Sequence, residues 1–154
     1  MERVRPAEQR DLGRCADLLD QAMVTAAERR GGPLLVAAGA PHRPSATELL
    51  DAWAQDQRRI VLAGLFEEAV VGLAIGRLPD GAGSAGHIDC CYVEPGARQV
   101  GVGGALVAGL LGWFAAHGCA GVDAAALPGD RSTKQLLEAA GFKARLLVLH
   151  RRLG

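Results

Sequence analysis

The residues best suited to chemistry in this sequence form a glycine-rich run, Arg98-Gln99-Val100-Gly101-Val102-Gly103-Gly104. The run lies between a predicted strand and a predicted amphipathic helix. Glycines at such a place let the backbone approach a ligand closely, and the first turn of a helix offers unpaired N–H groups at the positive end of its dipole. A turn of this kind binds anions, and a pyrophosphate fits it well.

Two common glycine-loop motifs do not fit the spacing of this run. The dinucleotide fingerprint requires a third glycine three residues beyond Gly103, where Leu106 stands, and a first glycine close behind the strand, whereas residues 95–100 intervene. A nucleoside-triphosphate loop requires Gly-Lys-Ser/Thr, and this region has no lysine. Because the chain holds 21 glycines, the run alone also fits a purely structural turn.

The strand before the loop carries a second candidate group, His87 and Asp89. Alternation along a strand places His87, Asp89, Cys91 and Val93 on one face, and Ile88, Cys90, Tyr92 and Glu94 on the other. A histidine with an ordinary pKa of about 6.5 can accept a proton near neutral pH, and Asp89 could raise that pKa or bind a cationic acceptor. The structural alternative is that His87 begins an exposed strand and Asp89 is ordinary polar lining.

Hydrophobic spacing predicts the elements that position these residues, in the order β-α-α-β-β-β-α-β-α-β. Ser45 and Glu48 form a predicted capping box, Asp130 a predicted cap, and Gly118 and Gly141 predicted helix ends. Loops are expected at 31–45 and 78–86. The predicted strands are 2–5, 60–66, 69–75, 87–93, 122–127 and 144–153, and the predicted helices are 7–29, 45–53, 103–117 and 130–140.

Composition predicts one soluble domain that spans residues 1–154 and is 49% apolar and 22% charged. The 17 basic and 17 acidic side chains cancel, which argues against nucleic acid as a partner. Without a long apolar segment or an apolar leader, we expect no membrane association and a cytoplasmic location. Four cysteines without Cys-x-x-Cys spacing indicate reduced core thiols and no metal site.

Several short motifs occur together in one order. The glycine run reads Arg98-x-x-Gly101-x-Gly103 and follows Val93-x-Pro95; residues 4–7 (VRPA), 70–72 (VVG) and 141–142 (GF) flank it along the chain. This combination resembles the GCN5-related N-acetyltransferase (GNAT) family, whose pyrophosphate signature is Gln/Arg-x-x-Gly-x-Gly/Ala. The resemblance covers nearly the whole chain and is weakest over residues 28–58.

The resemblance implies an α/β (α+β) fold, with a mixed, mostly antiparallel sheet of six to seven strands that splays at Val93 and has helices on both faces. It implies an acyl-CoA-dependent transferase, an N-acetyltransferase that moves an acetyl group from acetyl-CoA to a primary amine of a small molecule or protein by direct attack. A non-catalytic acyl-CoA binding or sensing module is the alternative, and a purely structural interaction domain is a weaker third. The acceptor is left open, and a homodimer is compatible with the sequence.

The resemblance also assigns roles to single residues. Backbone groups of Cys91, Tyr92 and Val93 would bind the pantetheine arm. Those of Gln99, Val100, Gly101, Val102, Gly103 and Gly104 would bind the pyrophosphate, with Arg98 at the signature's first position. His87 and Asp89 stand where several members carry their base, and Asp130 stands where an Asn often contacts pantetheine. The clearest departure is Leu137, which occupies the position of the Tyr that protonates the leaving thiolate in many members.

Overall fold

The computed structural model describes residues 1–28, 45–81 and 84–154. Five strands and four α-helices form in these ranges. The predicted loop at 31–45 lies almost wholly outside these ranges. The elements are β1 Glu2–Pro6, α1 Leu12–Glu28, α2 Ala46–Gln55, β2 Arg59–Phe66, β3 Ala69–Arg77, β4 Gly86–Val93, α3 Val102–Ala116, β5 Val122–Ala124 and α4 Arg131–Ala139.

The strands form one sheet in the order β1-β2-β3-β4-β5. The first three pairings are antiparallel, and β4 and β5 run parallel. Helices α1 and α2 pack with one face of the sheet around Leu18, Leu50 and Leu73, while α3 packs with the other around Leu106 and Phe114. The predicted mixed, mostly antiparallel sheet with helices on both faces is confirmed.

Local sequence signals set most element ends as predicted. Ser45 and Glu48 exchange both bonds of a capping box, with N–O distances of 2.9 and 3.2 Å. Gly118 and Gly141 adopt left-handed φ values of 75° and 92° where α3 and α4 end. Among the helices formed by the described residues, none combines the length and apolarity needed to cross a membrane.

The predicted strand count of six to seven is wrong for the described residues, which form five strands. The chain after Gly141 forms no strand, and β5 ends at Ala124 rather than at Leu127. A strand needs a partner ladder, and β5 offers only three residues to pair with. The apolar pattern at 144–153 predicted a strand, but four consecutive side chains there, Leu146 to Leu149, are 74–89% exposed.

Candidate active site

The sheet opens between β4 and β5. Their pairing ends where Ile88 meets Ala124, while β4 continues to Val93. The N–H of Glu94 donates to Val71 on β3 at 2.9 Å, and the amides of alternate residues point to opposite edges of a strand. The backbone groups of Cys91 and Val93 therefore face the open edge.

A groove of about 1250 Å³ follows this open edge and runs from one end of β4 to the other. Arg59, Arg77, His87 and Asp89 line one end, and the glycine loop with the first turn of α4 lines the other. The walls between them are largely apolar and include Leu136 and Trp53. The groove therefore joins the two groups that sequence analysis singled out.

The glycine loop presents backbone donors that the protein leaves unused. In the described part of the chain, no backbone N–H of residues 99–104 donates to a protein acceptor, and the first bond of α3 runs from Ala105 to Gly101. Gln99 and Gly101 have left-handed φ values of 70° and 89°. When left-handed residues alternate with others in a turn, successive backbone N–H groups point to the same side and form an anion-binding concavity.

Arg98 ties this loop to the end of β4. Its Nε donates to the carbonyl of Val93 at 3.0 Å, and its guanidinium carbon lies 5.6 Å from the Tyr92 ring centroid. Val102 fixes the other side of the loop, because its buried side chain packs where Gly64 and Gly72 leave space in the sheet. The turn is thus held by the protein alone.

The predicted faces of β4 are partly wrong. Ile75 pairs with Cys90 and Gly76 with Ile88, so Asp89 is an extra residue, a β-bulge. Ile88 consequently joins Cys91 and Val93 on the α3 face, whereas Cys90 and Tyr92 pack on the α1 face. Strict alternation placed Ile88 opposite Cys91, because it cannot account for an inserted residue.

The bulge brings His87 and Asp89 together, with 3.7 Å between His87 Nε2 and Asp89 Oδ1. It also brings Asp89 against two arginines, which sequence analysis did not identify as site residues. Arg59 Nη1 donates to Oδ2 at 3.0 Å and Arg77 Nε donates to Oδ1 at 2.9 Å. No signal for this was available in the sequence, since counting back from the Glu67-Glu68 turn pairs Arg59 with Gly76, and only a register shift between Gly64 and Leu65 brings Arg59 opposite Arg77.

The environment of the two groove cysteines, Cys90 and Cys91, disfavours the thiolate form. Burial raises the pKa of the Cys90 and Cys91 thiols to about 12, so both stay protonated at neutral pH. Tyr92 directs its hydroxyl to Gln21 Oε1 on α1, at 3.5 Å. Cys90 and Cys91 therefore offer no thiolate for covalent chemistry at neutral pH.

Helix α4 closes the groove on the side of β5. Asp130 caps it, with Oδ1 accepting from the Thr133 N–H at 3.1 Å and Oδ2 from the Thr133 hydroxyl at 2.6 Å. Leu137 is buried, at 7% exposure, and places no acid in the groove. Both carboxylate oxygens of Asp130 thus serve the helix start, as its predicted role as a cap required.

Comparison with solved structures shows the same fold in a transcriptional regulator and in two N-acetyltransferases. A transcriptional regulator from Bacillus halodurans C-125 matches with a TM-score of 0.74 and 17% identity over 99% of this chain and 100% of its own. A ribosomal-protein-alanine N-acetyltransferase from Brucella melitensis biovar Abortus 2308 matches with a TM-score of 0.70 and 20% identity over 100% of both chains. The aminoglycoside N-acetyltransferase AAC(6')-Iy in complex with CoA matches with a TM-score of 0.72 and 19% identity, over 99% of this chain and 95% of its own.

No curated protein sequence matches the chain. The sequence pattern of the acetyltransferase (GNAT) family, however, matches residues 34–142. That span is well over half of the 154 residues and contains β2 to β5, the glycine loop and most of the groove. The chain therefore belongs to the acetyltransferase (GNAT) family.

Proposed function

We propose that this chain is an acyl-CoA-dependent N-acetyltransferase that moves an acetyl group from acetyl-CoA to a primary amine, with residues 1–154 acting as one domain. One observation carries the proposal: the unused N–H groups of residues 99–104 lie beside the open edge of β4. A pyrophosphate can accept hydrogen bonds from these N–H groups, and an amide-containing arm can pair with the open edge of β4 as an added strand. CoA contains both groups, in sequence, on one molecule.

The groove orients the donor by backbone rather than by side chains. The pyrophosphate would accept from the amides of residues 99–104, while the pantetheine amides would pair with Cys91 and Val93 as an added strand. Tyr92 lies on the strand between them, and Asp130 holds the wall formed by α4. The thioester would then point along β4 toward His87 and Asp89.

Transfer joins the amine nitrogen to the thioester carbonyl carbon, and the carbon–sulfur bond breaks as the thiolate leaves. The ammonium must first lose a proton, and His87 is the candidate base, directly or through water. Asp89 Oδ1 lies 3.7 Å from His87 Nε2, so its charge would stabilise the imidazolium that forms. Since thiols have a pKa of about 8.5, the thiolate can leave without the acid that Leu137 does not supply. The second proton, which the nitrogen loses on becoming an amide, passes to the thiolate to give free CoA.

Release of free thiol from acetyl-CoA in the presence of an amine panel tests the proposal, together with calorimetric binding of acetyl-CoA. Steady, amine-dependent release is expected, and His87→Ala should lower kcat by about 10²-fold or more and change its pH dependence. Tight binding without turnover on any amine would favour the acyl-CoA sensing alternative. Absence of binding would exclude both functions.

A second copy of the chain is the protein partner we propose. The outer edge of β5 has no partner strand among the described residues, and the apolar residues 146–149 lie exposed beyond Arg145. Arg145 Nε donates to Asp123 Oδ1 on β5 at 2.8 Å. This bond holds the start of the apolar segment close to β5. A symmetric pair of chains could cover both features at once.

A further inference from the structure

The acceptor end of the groove is built around two guanidinium groups. Arg59, Arg77 and His87 are directly paired across β2, β3 and β4, so their side chains share one face of the sheet. Asp89 joins them from the bulge and accepts one hydrogen bond from each arginine. These four residues, which we call the arginine cluster, line the groove wall together.

The arginine cluster carries a surplus of positive charge. Two guanidinium groups face a single carboxylate on the groove wall, and both oxygens of Asp89 are already engaged. Asp56, 3.7 Å from Arg59 Nε and outside the groove wall, offsets part of the charge of Arg59, so the surplus at the groove is centred on Arg77. Asp89 is therefore poorly placed to bind a cationic acceptor, and an acceptor with several positive charges would be repelled.

The cluster also has donors to spare. Arg77 donates to Asp89 through Nε, and its two Nη groups have no acceptor among the described residues. Its side chain is 38% exposed at the groove. Arg59 is held in place by Trp53, whose ring centroid lies 4.7 Å from the guanidinium carbon. A fixed fork of N–H groups with net positive charge matches a planar carboxylate.

Resting on the proposed transferase function, we infer that the acceptor is a primary amine that also carries a carboxylate, and that Arg77, supported by Arg59, binds this carboxylate. Asp89 then has a positioning role, since it fixes the two guanidinium groups that select the acceptor. The charge of the groove excludes polycationic amines as preferred acceptors. Substrate choice thus depends on a group remote from the reacting nitrogen.

Acceptor pairs that differ only in one carboxylate test this inference. Glycyl-glutamate amide and glycyl-glutamine amide share the same amine, as do other short peptides and ω-amino acids paired with their carboxamides; spermidine serves as the polycation. We expect kcat/KM to be at least tenfold higher for the acid of the best pair. Arg77→Gln should abolish this preference by raising KM for the acid alone, and Arg77→Lys should restore part of it.

Two controls separate the possible causes. Arg3→Gln changes an arginine outside the groove and should leave the preference intact, while acetyl-CoA binding should be the same in all variants. Transfer to carboxamides or spermidine at least as efficient as to the acids would overturn the inference and leave the transferase function standing. Failure to bind acetyl-CoA would instead overturn the proposed function.

A binding measurement does not depend on turnover. Succinate titrated into the CoA-bound protein should shift the side-chain Nε–H resonances of Arg59 and Arg77 in a saturable way, and succinamide should not. In Arg77→Gln, succinate should no longer shift the remaining Arg59 Nε–H resonance. Equal shifts with succinamide, or none with succinate, would contradict the inference even if every acceptor in the panel proves inert.

Discussion

Replacing Gly104 with alanine should stabilise the fold but weaken the binding of CoA. Gly104 lies in the first turn of α3 on the groove wall, and a Cβ built there meets no protein atom within 4 Å. Gly104→Ala should therefore stabilise the fold by about 0.5–1 kcal/mol, because alanine loses less backbone entropy in a helix. Its methyl group should nevertheless weaken CoA binding about tenfold, as measured by calorimetry.

Gly112 supplies the matched control on the same helix. It is exposed, and a Cβ there also meets nothing within 4 Å, but it does not line the groove. Gly112→Ala should raise the urea midpoint as Gly104→Ala does and leave the CoA dissociation constant unchanged. If both variants bind CoA as the parent does, the turn at 99–104 is not the pyrophosphate site.

Asp11 is the buried charged residue of the described core, at 6% exposure. Arg5 binds it through two N–O contacts of 2.5 and 3.2 Å, and this pairing holds the pKa of Asp11 below its usual range. A carboxyl with a lowered folded-state pKa stabilises the fold above its unfolded pKa of about 3.9, and this stabilisation is lost as pH falls through the folded value.

Asp11→Ala should therefore cost about 1–3 kcal/mol of unfolding free energy at pH 7, and less as the pH falls below 4. Urea unfolding at pH 7 and pH 3 measures the difference. Glu68→Ala removes a carboxylate from an exposed pair with Arg3 and should change stability little at either pH. An Asp11→Ala deficit that is as large at pH 3 as at pH 7 would contradict the role of the ion pair.

At the scale of elements, the capping residues and glycine stops made the helix boundaries predictable, because each acts within one turn of the chain. The bulge at Asp89 was not predictable, since it depends on how Gly76 and Ile75 of β3 meet β4. The arginine cluster was missed for the same reason. Its members are far apart in sequence, and only the register of two strand pairs brings them together.

Helix α4 allows the two predicted roles of Asp130 to be separated. Asp130→Ala should cost about 0.5–2 kcal/mol through loss of the cap, while Asp130→Ser should keep the cap and nearly all of this stability. Because both oxygens already bond Thr133, we expect Asp130→Ser to bind CoA as the parent does. A stable Asp130→Ser variant with weakened CoA binding, measured by calorimetry, would instead identify Asp130 as a pantetheine contact.

At the scale of the whole molecule, the sheet separates two cores, and the groove lies where β4 loses its pairing to β5. Among the described residues, the outer edge of β5 has no partner strand, and the apolar segment after Arg145 lies exposed close to that edge. Exposed strand edges and exposed apolar runs both favour association. Burying the two of these aliphatic side chains that share one face of an added strand would contribute about 3–6 kcal/mol, at about 1.5–3 kcal/mol each.

We therefore expect a dimer in sedimentation velocity at about 1–100 μM protein, in the range where interfaces of standard size hold. Leu147→Glu with Leu149→Glu should dissociate it, because alternate residues of an added strand share one face and would place both charges in the interface. Arg152→Glu alters charge on the opposite face of the same segment and should leave the dimer intact. A parent chain that stays monomeric throughout this range would show that residues 146–149 pair with no second copy.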